Sequence, residues 1–175
     1  MVNETVLLTL LLPEPKHGYR LLEEADRAIG PDETFDTKRL YSTLRRLHQR
    51  GAVAAHAEPS PRLGAPPRKV YELTAVGRTL LTDLVGDPQN AADRRRFFLS
   101  LSLWDLIPTR TQYQLLEQRR AWLTAELAHF DTVAALPRST YWSRAVLGFQ
   151  RQQVLAELQW LDTIAHERGL AHAND

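Results

Sequence analysis

Cysteine is absent from the 175 residues of this chain, which excludes disulfides, thiolate metal sites, iron–sulfur clusters and cysteine nucleophiles. A long hydrophobic run is absent as well, because the longest apolar stretch, residues 6–12, is far too short to span a bilayer. No basic leader with a small-residue cleavage site accompanies that stretch. We therefore expect a cytoplasmic protein that is not bound to a membrane.

The chain also has almost no net charge, since 22 Lys and Arg residues face 21 Asp and Glu residues. Its 43% hydrophobic and 25% charged composition is ordinary for a globular protein and argues against disorder. Any surface for a polyanionic partner must therefore be local.

Motifs for catalysis and cofactor binding are missing too. The six histidines show neither the H-x-x-x-H nor the H-x-x-E-H spacing, so we expect no metal site. The sequence has no P-loop, no G-x-G-x-x-G and no nucleophile elbow. It predicts a protein that is not an enzyme and uses no cofactor.

Helix-breaking residues divide the chain into two parts. Seven of the ten prolines precede residue 70, and Gly86-Asp87-Pro88 has the pattern of a helix stop followed by a linker. We expect a mixed domain at residues 1–86, a helical domain at residues 93–169 and a disordered tail at residues 170–175.

The first part predicts three helices, a β-hairpin and a fourth helix. The expected helices end near Leu12, Ala28, Gln49 and Val85, with Thr74 capping the last of them. The expected strands lie at residues 52–58 and 68–73, on either side of a Pro- and Gly-rich loop. This order is typical of a winged helix-turn-helix domain, so the predicted fold class is mainly α with a small β-hairpin.

The second part predicts three long helices, at residues 93–107, 110–136 and 139–168. Heptad-like spacing marks the last of them and is typical of a helix that packs on other long helices. We expect its stripe to bury against a second copy of the chain, which makes this part a dimerisation domain. The candidate dimer-interface residues are Leu147, Val154, Leu158 and Leu161.

Basic residues concentrate in the third helix and the hairpin. Residues 37–71 carry eight of them against a single acid, Glu58. A basic stripe on two adjacent elements of a neutral protein is the electrostatic pattern of a duplex binder. The alternative is a solvated charged face.

Helical spacing selects the residues of the third helix that face outward. If Leu40, Leu44 and Leu47 face the core, then cations, a hydroxyl and a tyrosine occupy the opposite face and its edges. Tyr41 either bonds a phosphate or packs beside the leucines. We expect Tyr19 to pack between helices, and the alternative is that its hydroxyl contacts a backbone phosphate. The candidate DNA-binding residues are Lys38, Arg39, Tyr41, Ser42, Arg45, Arg46, Arg62, Arg68 and Lys69.

Four segments of the first part resemble the PadR family of bacterial transcription regulators. His17-Gly18-Tyr19-Arg20-Leu21 is similar to the family's H-G-Y-x-L signature, and residues 39–47 are similar to its recognition helix. Residues 51–53 stand where the family usually has G-L-V, and residues 68–78 resemble its wing strand and following helix. The resemblance implies a homodimeric repressor that binds a pseudo-palindromic operator on double-stranded DNA and is often released by a small molecule.

Aromatic residues are frequent in the second part and have two interpretations. They form the core and dimer interface, or they line a pocket for a small hydrophobic or aromatic effector. The candidate effector-binding residues are Trp104, Trp122 and Trp142, whereas Trp160 is expected in the core. The alternative function is a winged-helix regulator or protein-binding adaptor without an effector.

Overall fold

The computed structural model describes residues 2–29, 35–59, 67–134 and 140–170. The chain divides into two compact units, Met1–Val85 and Gly86–Asp175. No helix within the described ranges is both long enough and apolar enough to cross a membrane.

The first unit is a winged helix-turn-helix fold, which confirms the predicted fold class. The elements are α1 (Val2–Leu10), β1 (Lys16–His17), α2 (Gly18–Ile29), α3 (Thr37–Gln49), β2 (Val53–Glu58), β3 (Arg68–Leu73) and α4 (Ala75–Val85). The three strands form one antiparallel sheet in the order β1-β3-β2.

The strand β1 is the element of this unit that the sequence did not predict. Only two residues long, it pairs Lys16 with Tyr71 and His17 with Val70 on β3. A two-residue strand has no periodicity of its own, so its existence depends on the partner strand. Its effect is to hold the start of α2 beside the hairpin of β2 and β3, which is the wing of this fold.

Leucines supply most of the core beneath α3. Leu40, Leu44 and Leu47 on α3 are at most 1% exposed, and they share the interior with Leu7 and Leu21. Burial of each such side chain contributes about 1.5–3 kcal/mol to stability. The predicted inward face of α3 is therefore confirmed.

Two glycines shape the path from α3 to α4. Gly51 has φ +69°, a left-handed conformation that ends α3 and turns the chain into β2. Thr74 caps α4 by accepting a hydrogen bond from the Gly77 amide, and it donates its own hydroxyl hydrogen to the Gly51 carbonyl. Gly77 packs against the Ala52 carbonyl, where a Cβ would stand only 2.1 Å from the oxygen.

The second unit consists of helices and short 3-10 turns. Its elements are a 3-10 turn (Pro88–Ala92), α5 (Arg94–Leu101), a second 3-10 turn (Trp104–Leu106), α6 (Thr109–Ala134) and α7 (Tyr141–Glu167). The stretch between the two predicted domains packs on α6 through this first 3-10 turn, in which Asn90 and Ala91 are buried.

The expected helix at residues 93–107 is shorter than predicted. It ends at Leu101, where the hydroxyls of Ser100 and Ser102 donate to carbonyls three residues back and compete with the helical pattern. No proline or glycine marks this end, so the sequence lacked the signal.

A buried ion pair lies inside the second unit. Arg119 is 1% exposed, and its Nη2 lies 2.6 Å from Oε1 of Glu157 on α7. The same guanidinium donates to the Ala91 carbonyl and lies over the rings of Phe97 and Trp122. These contacts join the first 3-10 turn, α5, α6 and α7.

The chain beyond α7 folds back onto the unit. Gly169 has φ +66°, and the following Leu170 is 2% exposed. The expected disordered tail is therefore wrong at Leu170, because the left-handed glycine reverses the chain and buries that leucine. Residues 171–175 lie outside the described residues.

Candidate nucleic-acid interface

Helix α3 presents its polar side outward. Asp36 caps its first turn by accepting a hydrogen bond from the Arg39 amide. Lys38, Ser42 and Arg45 are exposed on the side opposite the buried leucines. Ser42 donates its hydroxyl hydrogen to the Arg39 carbonyl, which leaves the hydroxyl oxygen as an acceptor.

The cations of α3 differ in their partners. Lys38 and Arg45 form no ion pair or side-chain hydrogen bond with any residue in the described ranges. Arg46, by contrast, lies 3.8 Å from the Glu4 carboxylate on α1, which Arg50 approaches to 3.5 Å. The charge available to a polyanion is therefore greatest at Lys38 and Arg45.

The α2 side of the same unit is internally neutralised. Lys16 pairs with Glu14 and Glu24, and Arg20 pairs with the same two acids. Arg27 pairs with Glu23 one turn away on α2. The unpaired cations of α3 thus contrast with these satisfied ones.

The wing brings its own cations to the interface. Antiparallel pairing sets Arg68 of β3 opposite Glu58 of β2 and Lys69 opposite Ala57. The Glu58 carboxylate lies 3.8 Å from Nε2 of His17, and the Arg68 guanidinium lies over the Tyr19 ring at 5.9 Å. Arg62, the other wing candidate, lies outside the described residues.

A cavity of about 520 Å³ joins α3 to the wing and the start of α2. Tyr41 of α3 and the cations Arg68 and Lys69 of β3 all line it. The full lining is His17, Gly18, Tyr19, Tyr41, Arg68, Lys69 and Tyr71. Cations and tyrosine hydroxyls around one opening form a surface suited to a phosphate.

The tyrosines of this cavity differ in exposure. Tyr19 is 61% exposed, so the expectation that it packs between helices is wrong. Tyr71 is 6% exposed, and burial, followed by the proximity of Tyr41, raises the pKa of its hydroxyl. Tyr71 therefore remains a neutral hydrogen-bonding group at physiological pH.

Sequence reasoning missed the contribution of His17 and Tyr71 to this site. Both residues line the cavity because β1 pairs with β3, which joins segments more than fifty positions apart. The H-G-Y signature was the available signal, but it did not show which strand the segment joins.

The three effector candidates do not come together in the second unit. Trp104 lines a cavity of about 190 Å³ and Trp122 a cleft of about 160 Å³. Trp142 is 75% exposed at the start of α7. Trp160 is 39% exposed and lines the same cavity as Trp104, so its expected place in the core is wrong.

Residues of the stripe predicted to form the dimer interface pack, wholly or in part, within the second unit itself. Val154 and Leu161 are buried at 7% and 0% exposure, while Leu147 and Leu158 are half-buried. Burial of Val154 and Leu161 needs no second chain, which corrects the expectation for these two residues. The exposed apolar side chains of α7 are Tyr141, Trp142, Val146, Phe149, Leu155 and Trp160.

No cluster of three or more His, Asp or Glu side chains suited to a metal occurs among the residues that the structure describes.

Comparison with known proteins gives the following matches. Residues 7–83 match the Transcriptional regulator PadR-like family. No curated protein matches the chain. A PadR-like transcription factor from Bacteroides fragilis is 27% identical over 46% of this chain and 74% of its own, with a TM-score of 0.41.

Two structures of Bacillus subtilis PadR match over a longer range. The complex with operator DNA is 18% identical, covers 95% of this chain and 99% of its own, and has a TM-score of 0.45. The complex with p-coumaric acid is 18% identical, covers 95% and 98%, and has a TM-score of 0.39. Residues 7–83 of the chain are therefore similar to the PadR-like family of transcriptional regulators.

Proposed function

We propose that this protein is a transcriptional regulator, a homodimeric repressor that binds a pseudo-palindromic operator through α3 and the β2–β3 wing and is released by a small aromatic effector. It acts in the bacterial cytoplasm, where the chromosome lies. The observation that carries the DNA surface is the set of cations without partners in the described ranges, Lys38 and Arg45 on α3 and Lys69 on β3.

The geometry of α3 suits the major groove. Lys38 and Arg45 are seven residues apart on one exposed side, a rise of about 10 Å along the helix and thus roughly three base pairs. Their ends reach base edges, where Arg and Lys bond guanine O6 and N7. The hydroxyl of Ser42 lies between them as an additional acceptor.

The cavity between α3 and the wing suits the DNA backbone. Arg68 and Lys69 supply positive charge, and Tyr41 adds a hydroxyl donor at its edge. Phosphate contacts of this kind set register and orientation without reading sequence. We assign α3 to base readout and the cavity to phosphate positioning.

The dimer surface that we propose lies on the first half of α7. Trp142, Val146 and Phe149 fall on one side of the helix and are 55–75% exposed. An exposed stripe of two aromatic rings and a valine leaves apolar surface in water in a monomer, and such a stripe is typical of a protein interface. A second copy covers it through the same residues, as a two-fold interface requires.

The dimer proposal is tested by light scattering coupled to size exclusion. We expect Trp142→Ser/Phe149→Ser to shift the protein from dimer to monomer, because the two rings are lost from both sides of the interface. The control is Gln159→Ser, an exposed polar position of the same helix. A double variant that remains dimeric would overturn the assigned surface.

The DNA proposal is tested by selecting bound sites from random duplexes with the full chain. We expect an enriched inverted repeat whose half-sites are about one helical turn apart. Lys38→Ala/Arg45→Ala should then lose affinity for the selected site. Arg20→Ala/Arg27→Ala is the matched control, because both of those arginines are already paired with acids on α2 or the preceding turn.

Two results would contradict the DNA proposal. One is a selection that enriches no sequence, which would favour a protein-binding adaptor. The other is an equal loss of affinity in the α3 variant and in the paired-arginine control. Repression itself is measured with a promoter that carries the selected site ahead of a reporter gene.

A further inference from the structure

The side chains that line the cavity beside Trp104 and Trp160 limit the kind of ligand that it can bind. It measures about 190 Å³ and lies between the second 3-10 turn and parts of α5, α6 and α7. Its lining is Leu101, Trp104, Asp105, Gln112, Trp160, Ile164, Arg168 and Leu170. Two indoles and three aliphatic side chains make its wall mainly apolar.

A buried donor in this wall has no partner. Trp104 is 5% exposed, and its Nε1 makes no hydrogen bond with any residue in the described ranges. A buried Trp N–H usually has a partner, because leaving it unsatisfied is costly. Nε1 itself has almost no accessible surface, so a ligand acceptor would bond it only after the indole rotates toward the cavity.

An acceptor stands in the same wall. Nε2 of Gln112 donates to two backbone carbonyls, those of Trp104 and Ile107, at 2.8 and 3.0 Å. Both amide hydrogens are therefore used, and this fixes the side chain. Oε1 accepts no hydrogen bond from the described residues and is available to a ligand donor.

The charged groups of the wall cancel each other. Nη2 of Arg168 lies 2.5 Å from Oδ1 of Asp105, and both side chains are largely exposed at the rim. A charged ligand would have to separate this pair or enter the apolar interior unpaired. The cavity therefore favours a neutral molecule.

The volume limits the ligand to one ring. Sites for drug-sized molecules measure roughly 300–1,000 Å³. A protein cavity of about 150 Å³ accommodates benzene. The remaining space at 190 Å³ suits one polar substituent.

We propose that this cavity binds a neutral, single-ring aromatic molecule that carries a hydrogen-bond acceptor and donor at one edge. A hydroxyl on the ring or a cyclic amide meets this description. The acceptor bonds Nε1 of Trp104, and the donor bonds Oε1 of Gln112. That this ligand is the effector rests on the proposed function.

The cleft beside Trp122 is a poorer place for such a molecule. Its lining includes four charged side chains, Arg94, Arg119, Glu126 and Glu157. One face of the Trp122 ring is also occupied by the Arg119 guanidinium, 5.0 Å from the ring centroid. An uncharged ring would gain little there.

The test uses the full chain with Trp122→Phe and Trp142→Phe, so that the two remaining tryptophans both line the cavity. Phenol is titrated by calorimetry and by tryptophan emission. Toluene, which lacks the hydroxyl, and benzoate, which is charged, are the comparison probes. We expect phenol to bind about tenfold more tightly than toluene, and benzoate more weakly than phenol.

Trp104→Phe in that background removes the N–H but retains a ring against Phe97, whose centroid lies 5.9 Å from the indole. We expect about tenfold weaker binding of phenol and no change for toluene. Ile164→Phe is the second variant, and it should prevent phenol binding by filling the cavity. Circular dichroism confirms that each variant is folded.

Equal binding of phenol and toluene, or unchanged phenol binding in a folded Trp104→Phe variant, would overturn the proposed site. Operator affinity is measured separately without any probe. A protein that binds no operator would contradict the proposed function alone, because the calorimetric test does not involve DNA.

Discussion

The hydroxyl of Tyr41, on the exposed side of helix α3, lies directly against Gly18, the first residue of α2. A Cβ on Gly18 would stand 2.9 Å from that oxygen, which is closer than a side-chain carbon normally approaches. The glycine of the H-G-Y signature therefore makes room for the tyrosine of α3. Both residues line the cavity that we assign to a phosphate.

The first prediction follows from this contact. Gly18→Ala should leave the thermal midpoint almost unchanged, because better helix propensity, worth up to about 1 kcal/mol, offsets displacement of a mobile ring end. Operator affinity should fall by about 1 kcal/mol, since the displaced Tyr41 loses a phosphate contact. Thermal unfolding and fluorescence anisotropy with operator DNA measure the two effects.

The control for this prediction is the Tyr41→Phe background. There the hydroxyl is gone, so Gly18→Ala should have little further effect on operator affinity. Additive effects of the two substitutions would show that Gly18 acts independently of Tyr41.

A second prediction concerns Gly77, whose neighbour is backbone and cannot move aside. A Cβ there would meet the Ala52 carbonyl oxygen at 2.1 Å and Leu73 Cδ1 at 2.6 Å. Gly77→Ala should lower the free energy of unfolding by about 3 kcal/mol in a denaturant titration. Gly148→Ala is the matched control, because nothing lies within 4 Å of that position in α7, and it should stabilise the helix slightly. Equal effects at both positions would contradict the packing argument.

The third prediction separates phosphate contacts from base contacts. Arg68→Ala should reduce the slope of log affinity against log salt by about one, because one fewer counterion is released. Lys38→Ala and Arg45→Ala should each weaken specific binding by about 1–3 kcal/mol and non-specific binding by less. Arg27→Ala, which removes an arginine already paired with Glu23, should change neither quantity. Unchanged operator affinity in the Arg68, Lys38 and Arg45 variants would refute the surface.

A fourth prediction concerns the buried pair of the second unit. Glu157→Gln should lower the free energy of unfolding by about 3–5 kcal/mol, because Arg119 is left charged and buried at 1% exposure. Arg119→Met/Glu157→Leu should recover much of this loss, since apolar groups need no charge partner. Denaturant unfolding of the full chain, followed by tryptophan emission, measures both. A double variant no more stable than Glu157→Gln would contradict this account.

The fifth prediction is a pH dependence at the start of α2. Burial acts to raise the pKa of Glu24, but hydrogen bonds from Arg20 and Lys16 outweigh it and hold that pKa below 4.5. A lowered folded-state pKa gives stability that is complete above pH 4.5 and is lost as pH falls through the folded value. Glu24→Gln should therefore be less stable than the parent at neutral pH, and the difference should shrink in acid.

Unfolding titrations at several pH values check this behaviour. Glu23→Gln is the control, because that carboxylate is paired with Arg27 at the surface, and losing an exposed pair should have little effect on stability. A Glu24→Gln difference that stays constant from neutral pH into acid would show that the carboxylate charge is not the cause.

Local sequence patterns were sufficient to predict most of the helices and strands of the first unit. The leucines of α3 recur at helical spacing, and this spacing alone placed Lys38 and Arg45 on the exposed face. The predicted strands differ from β2 and β3 by at most one residue, because turn residues bound both alternating segments. Thr74 was correctly predicted as the cap of α4.

The sequence by itself therefore determined the four helices of the first unit, the hairpin and the basic face of α3, since each depends on residues close together in the chain. Only the tertiary structure decided which distant groups meet. It placed Tyr41 against Gly18, buried Arg119 against Glu157, and separated Trp104 from Trp122 and Trp142. Val154 and Leu161 show the same limit, because helical periodicity identifies an apolar stripe but not whether its own chain or a second copy covers it.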